Sequence, residues 1–199
     1  MKKVKKTENE QVQATLPPLK ILETTITCVS DSSLISHRWS EKAKSEMRDK
    51  QMKKAKQARE AKNPEEEYRA SLYEYPGGGY GFPAVAFKAA AVDACSHVAN
   101  ITKVEARGAF HIDGELVRIE GEPSMREDMV RIGMGTADLR YRAEFKQWRA
   151  TFKVRYNSSV MTADQIAHLF STAGFAIGVG EWRPQKDGSH GMFHVETAG

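Results

Sequence analysis

Residues 148–156 read Trp-Arg-Ala-Thr-Phe-Lys-Val-Arg-Tyr, and this stretch decides the fold class. Its apolar side chains occupy every second position, and Phe152 stands at their centre. The positions between them carry Arg149, Thr151, Lys153 and Arg155. Successive side chains of a strand point to opposite faces of a sheet, so the pattern predicts a strand with one core face and one basic face.

A helix is predicted on each side of this strand along the chain. Downstream, Thr162 and Gln165 have the spacing of a capping box, and Gly174 is the predicted end of the helix. Upstream, Pro83 opens a run to about Val98 that has almost no polar face. A helix that is apolar nearly all round is expected to be buried against a sheet.

Further strands are predicted at 19–29 and near 192–195, together with a hairpin over 109–119. The hairpin is expected to turn at Asp113-Gly114, because this dipeptide is a strong two-residue turn signal. The resulting order of elements predicts an α+β domain with helices on one face of a mainly antiparallel sheet.

Two segments carry much of the basic charge. Residues 41–62 hold nine Lys or Arg against four acidic residues and predict a polar helix over 40–63, with Ser40 as its cap. This helix would contact nucleic acid or a second copy of the chain, or would simply be solvated. The loop-like arm over 121–144 interleaves arginines with methionine, leucine and tyrosine.

Composition and charge restrict the class of protein. The formal net charge of the 199-residue chain is only +4, so the distribution of charge has to support any polyanionic partner. Two cysteines, Cys28 and Cys95, form no CxxC pair and predict reduced thiols in a cytoplasmic protein. No signal segment or membrane span is expected, and residues 1–18 are predicted to be a disordered basic tail before a single domain over 19–199.

Three places together resemble the RAMP superfamily, the ferredoxin-like RNA-binding proteins that form the backbone of CRISPR effector complexes. They are the helix start at 81–91, the arm at 126–142 and the Gly-rich ending at 178–193. The resemblance implies a ferredoxin-like sheet, a projecting hairpin thumb at the arm and an RNA-facing Gly-rich loop. The chain is also similar to proteins encoded by tailed bacteriophages, a likeness that implies no function.

The candidate nucleic-acid-binding residues lie in three groups. Arginines of the arm and cations of the strand at 148–156 would meet phosphates. The Gly-rich loop would offer backbone N–H groups to an anion, with Trp182 stacking on a base. The full set is Arg126, Arg131, Arg140, Arg142, Arg149, Lys153, Arg155, Gly178, Gly180, Trp182, Arg183 and Lys186. In each group the alternative is structural: a solvated face, or a loop with Trp182 in the core.

No constellation for catalysis is recognisable, and neither a cofactor nor a metal is expected. The histidines lack an HExxH spacing, and no GxxxxGK[ST] loop is present. The sequence therefore predicts a non-enzymatic protein that binds single-stranded RNA or DNA and self-associates. The alternatives are a phage structural or protein-interaction subunit, and a RAMP-like endoribonuclease in which Asp31 orients a 2′-hydroxyl.

Overall fold

The computed structural model describes residues 18–39, 41–54, 61–132 and 135–196, and its architecture is mixed α+β. The strands are β1 (Ile21–Ser30), β2 (Leu34–Ser36), β3 (Tyr73–Glu74), β4 (Tyr80–Pro83), β5 (Phe110–Ile112), β6 (Leu116–Ile119), β7 (Pro123–Ile132), β8 (Thr136–Phe145), β9 (Arg149–Asn157) and β10 (Phe193–Val195). The helices are α1 (Glu41–Gln51), α2 (Pro64–Ala70), α3 (Ala84–Ala94), α4 (Lys103–Ala109) and α5 (Ala163–Ala176). The predicted α+β class is confirmed. The predicted tail, apart from Pro18, lies outside the described residues.

The predicted alternating strand is β9, which lies inside a four-stranded antiparallel sheet with the order β10-β1-β9-β5. Alternate residues from 150 to 156 are buried, whereas Lys153 and Arg155 are exposed, so the predicted alternation is confirmed. Ile26 of β1 pairs with Phe152 and continues the buried face onto the neighbouring strand.

Two helices cover the buried face of this sheet. The ring centroids of Phe87 in α3 and Phe170 in α5 lie 5.2 and 5.5 Å from that of Phe152. The predicted buried helix is confirmed as α3, which starts directly after Pro83. The predicted capping box is also confirmed, since Thr162 accepts from the Gln165 N–H and Gln165 accepts from the Thr162 N–H. Both helices therefore begin where the sequence predicts.

The predicted hairpin over 109–119 is wrong. β5 pairs with β9, whereas β6 pairs with β4 in a second, three-stranded sheet of order β3-β4-β6. Asp113 donates its backbone N–H to the Lys153 carbonyl, and this bond prolongs the pairing of β5 with β9. Asp113 therefore stays with the four-stranded sheet, and the chain crosses to the second sheet only after Gly114, whose φ is +83°.

Gly174 does not end its helix, because α5 continues to Ala176. A methyl group at this position would overlap the backbone carbonyl of Phe193 in β10. The glycine therefore serves a close approach of a strand to a helix, which local sequence signals do not distinguish from a helix stop.

The polar helix predicted over 40–63 is shorter than expected. α1 ends at Gln51, and Asn63 has extended backbone angles and caps α2 through its side-chain oxygen. Lys53, just after the end of α1, has a φ of +55°, which helical residues do not adopt, so one continuous helix cannot pass through it. Ser40, the predicted cap, and residues 55–60 lie outside the described residues.

The arm, which the sequence presents as loop-like, contains a β-hairpin. β7 and β8 pair over their full ten residues, from Pro123 with Phe145 to Ile132 with Thr136. The base of β8 also pairs with β2, so that the order of this sheet is β2-β8-β7. Neither face of the hairpin is uniformly apolar, and period-two alternation therefore did not reveal the two strands.

Candidate nucleic-acid interface

The hairpin divides the four predicted arm arginines between two faces. Cross-strand partners share a face, and Arg126 pairs with Arg142 while Asp128 pairs with Arg140. These side chains define the arginine face of the hairpin. Arg131 lies on the opposite face, and its side chain is exposed. The structure thus brings three arm arginines together and separates the fourth from them.

A charge cluster occupies the base of the arginine face. Arg126 donates from Nε to Asp128 at 2.7 Å and from Nη1 to Glu144 at 3.0 Å. The hydrogen bond with Asp128 raises the pKa of Arg126 above its ordinary value. Arg142 donates to Asp128 at 3.4 Å, and only 4% of its side chain is exposed. Such burial leaves Arg142 no surface for a phosphate, whereas the side chain of Arg140 is 38% exposed, with its Nε 3.8 Å from Asp138 Oδ2.

Two glycines of the 178–191 loop use their backbone N–H groups in hydrogen bonds within the protein, so these groups are not free for an anion. The backbone N–H of Gly178 donates to the Ala173 carbonyl at 2.8 Å, and that of Gly191 donates to the Ser33 carbonyl at 2.7 Å. A Cβ at Gly180 would lie 2.7 Å from the Ile35 carbonyl oxygen. Gly180 is therefore required because it lies close against β2, where a side chain would not fit.

Trp182 is the exposed aromatic side chain of this loop. Its φ is +55°, and 43% of the residue is accessible, so it is not tucked into the core. Arg183 beside it donates from Nη1 to the Gly180 carbonyl at 3.0 Å and remains partly accessible. Lys186 is exposed on the adjoining 3₁₀ turn. An aromatic plane and two cations are thus close together in the loop.

Ser33 joins the loop to the arginine face. Its hydroxyl donates to Glu144 Oε1 at 2.7 Å and lies 2.9 Å from Nδ1 of His190. The loop residue Glu181 lies 3.5 Å from Nδ1 of His37, and the hydrogen bond with His37, together with the charge of Arg142, lowers the pKa of Glu181. No local sequence signal indicates these contacts, because Ser33 lies 111 residues from Glu144 and 157 from His190.

Each cation on the basic face of β9 has an acidic partner. Arg155 forms an ion pair with Asp113 at 2.7 Å, and Lys153 lies 3.9 Å from Glu23. Arg149 pairs with Glu196. Among the described residues, no hydrogen bond or ion pair joins these three cations to the hairpin or to the loop, so they belong to a separate surface.

Asp31 has a partner that the sequence did not indicate. Its Oδ1 lies 2.7 Å from Nδ1 of His194 on β10, and both side chains are about half exposed, 46% and 54%. Within the described ranges, no group of three or more His, Cys, Asp or Glu side chains is arranged to hold a metal ion.

Cys28 and Cys95 are both buried and unpaired, and burial raises the pKa of each thiol.

No protein family matches this chain, and no curated protein matches it. None of the helices in the described part of the chain is long and apolar enough to span a bilayer.

Proposed function

We propose that the chain is a non-enzymatic protein that binds single-stranded nucleic acid along the arginine face of the hairpin and the adjoining loop. The observation that carries the proposal is the contact of Ser33 with both Glu144 and His190. This contact joins the arginine face to the loop that exposes Trp182. The proposed surface combines the aromatic plane of Trp182 with the cations of the arginine face and the loop, a combination typical of proteins that bind single strands.

The proposed contacts are a subset of the sequence candidates. Arg140, Arg183 and Lys186 would meet phosphates, and Trp182 would stack on a base. Arg126 would add little, because Asp128 and Glu144 already neutralise it. Three phosphate contacts on a single strand correspond to a slope of about −2 in log affinity against log salt. Binding by this surface is thus expected to be moderately dependent on salt.

We also propose that the fold is ferredoxin-like and related to the RAMP superfamily, with residues 121–144 as its thumb-like arm. The support is topological. A βαββαβ unit is formed by six elements in chain order: β1, α3, β5, β9, α5 and β10. In its sheet the fourth strand, β10, lies beside the first, β1, and the third, β9, lies beside the second, β5. The two buried, unpaired cysteines are consistent with the cytoplasmic location that we propose.

Fluorescence polarisation with single-stranded RNA and DNA oligonucleotides at two salt concentrations tests the function. We expect binding that weakens with salt and is lost in part on Trp182→Ala. Equal affinities of the parent and the Trp182, Arg140 and Lys186 variants would contradict the proposed surface. A double-stranded oligonucleotide of the same sequence is the control, because its bases are not free to stack on Trp182.

A second candidate, metal-independent cleavage of RNA, rests on the Asp31–His194 pair alone. A carboxylate at Nδ1 orients an imidazole so that Nε2 can accept a proton from a 2′-hydroxyl. Incubation of end-labelled RNA with excess chelator tests this candidate. Cleavage by the parent and not by His194→Ala would support it, and intact RNA in both samples would exclude it.

A further inference from the structure

The outer edge of β7 has no strand partner among the described residues. Two contacts of the neighbouring strand β8 define which backbone groups reach that edge. Ala143 donates its backbone N–H to Ser71 Oγ at 2.8 Å, and the Leu139 carbonyl accepts from Lys62. The backbone groups of Ala143 and Leu139 therefore point away from β7.

Residues that oppose each other in an antiparallel pair bond to one another or both point outward, and the two arrangements alternate along the strands. Met125 opposes Ala143 and Met129 opposes Leu139, so both methionines direct their backbone N–H and C=O groups to the outer edge of β7. Glu127 and Arg131 each lie two residues from Met129, so their backbone N–H and C=O groups also point to the outer edge of β7. Within the described part of the chain, no hydrogen bond satisfies these outward groups of residues 125–131.

The side chains of the same residues form a self-complementary pattern. Glu127, Met129 and Arg131 share one face of β7, and all three are exposed, Met129 by 66%. A second β7 running antiparallel and centred on Met129 would oppose Glu127 to Arg131 twice. A register shifted by two residues would oppose Glu127 to Met129, or Met129 to Arg131, and a shift of four residues would oppose Glu127 or Arg131 to its own copy. Opposite charges directly opposed stabilise a strand pair and like charges destabilise it, so the charges favour the register centred on Met129, which alone forms both Glu127–Arg131 pairs.

We propose that two copies of this chain associate through their β7 edges, antiparallel and centred on Met129. The pairing extends each hairpin into a four-stranded ribbon and satisfies the outward backbone groups of Glu127, Met129 and Arg131. The arrangement is a two-fold interface, in which the same surface of each copy is used. Exposed apolar side chains next to the edge, Met125 at 50% and Leu139 at 43%, add burial to the hydrogen bonds.

This inference does not rest on the proposed function, because the arginine face is the opposite face of the hairpin. The occupant is a second copy and not a nucleic acid, since Glu127 on the edge repels phosphate and complements Arg131 of another copy. The test is accordingly made on the full chain without nucleic acid, and its failure would leave the polarisation assay unaffected.

Sedimentation velocity over a range of concentrations measures the association of the parent and of charge variants. Glu127→Arg and Arg131→Glu each place two like-charge pairs in the interface, and each is expected to weaken association about tenfold or more. The double variant restores the opposite charges and is expected to associate like the parent. A mixture of the two single variants is expected to form the heterodimer, because each then complements the other.

Arg107→Glu on α4 is the matched control, since it makes the same change in net charge at another exposed site. Hydrogen exchange reports the edge directly. The amide of Met129 is expected to become protected as concentration rises, whereas that of Asp128, bonded to β8, is protected throughout. A parent that remains monomeric up to about 1 mM would overturn the proposal. So would association that neither charge reversal weakens, or a Met129 amide that stays unprotected in the dimer.

Discussion

Phe87 of α3 and Phe152 of β9 pack with their ring centroids 5.2 Å apart, and this contact joins the helix layer to the middle of the four-stranded sheet. Phe152→Ala is expected to destabilise the protein by about 3–5 kcal/mol, as for other buried aromatic residues. Lys153→Ala, on the opposite face of the same strand, is expected to change stability by less than about 0.5 kcal/mol. Chemical denaturation of both variants measures the difference, and equal losses would mean that the register of β9 is wrong.

Gly174→Ala is expected to destabilise by about 1–3 kcal/mol, because the added methyl group forces β10 away from α5. Gly108→Ala is the matched control, since a Cβ at this helical position of α4 meets nothing within 4 Å. It is expected to stabilise by about 0.5–1 kcal/mol through the higher helix propensity of alanine. Thermal melting of both variants gives the comparison, and a neutral Gly174→Ala would contradict the close approach of Phe193.

Asp128→Ala is expected to cost about 3–5 kcal/mol, because it removes the ion-pair partner of the buried Arg142 guanidinium. Glu23→Ala removes the exposed partner of Lys153 and is expected to cost less than about 1 kcal/mol. Replacing Asp128 and Arg142 together by leucine is expected to recover most of the loss. Denaturant unfolding measures the loss of stability in each variant. If Asp128→Ala and Glu23→Ala cost the same, the Asp128–Arg142 pair does not stabilise the hairpin base.

Arg140→Ala combined with Lys186→Ala is expected to flatten the slope of log affinity against log salt by about one unit or slightly more, since two phosphate contacts are lost. Trp182→Ala is expected to weaken binding by about 1–3 kcal/mol while leaving that slope nearly unchanged. Polarisation titrations at several salt concentrations separate the two effects. Arg107→Ala on α4 is the control. If Arg107→Ala flattens the slope as much as the double variant does, the attraction to nucleic acid is non-specific.

The sequence alone predicted the elements whose signals are local. Alternation over nine residues identified β9 and its buried face, and two residues three apart identified the start of α5. Pro83 and the apolar run after it identified α3. Each of these signals depends on side chains that lie within one strand or one helical turn of each other, and tertiary packing did not change them.

The tertiary structure alone decided which candidate residues share a surface. The pairing of β7 with β8 places Arg131 on the opposite face from Arg126 and Arg140, and it brings the buried Arg142 beside Asp128. Strand register determines the face of every side chain, and a one-residue slip would have exchanged the two faces.

The roles of Gly174, Gly191 and Ser33 likewise could not be predicted from the sequence. The roles of Gly174 and Gly191 depend on a backbone that approaches from elsewhere in the chain, Phe193 for the first and Val179 for the second. Ser33 joins partners more than a hundred residues away. The sequence determined the local conformation of the main elements, because the interactions that stabilise them span a few residues. Only the folded chain determined the candidate site, because its contacts form when distant segments pack together.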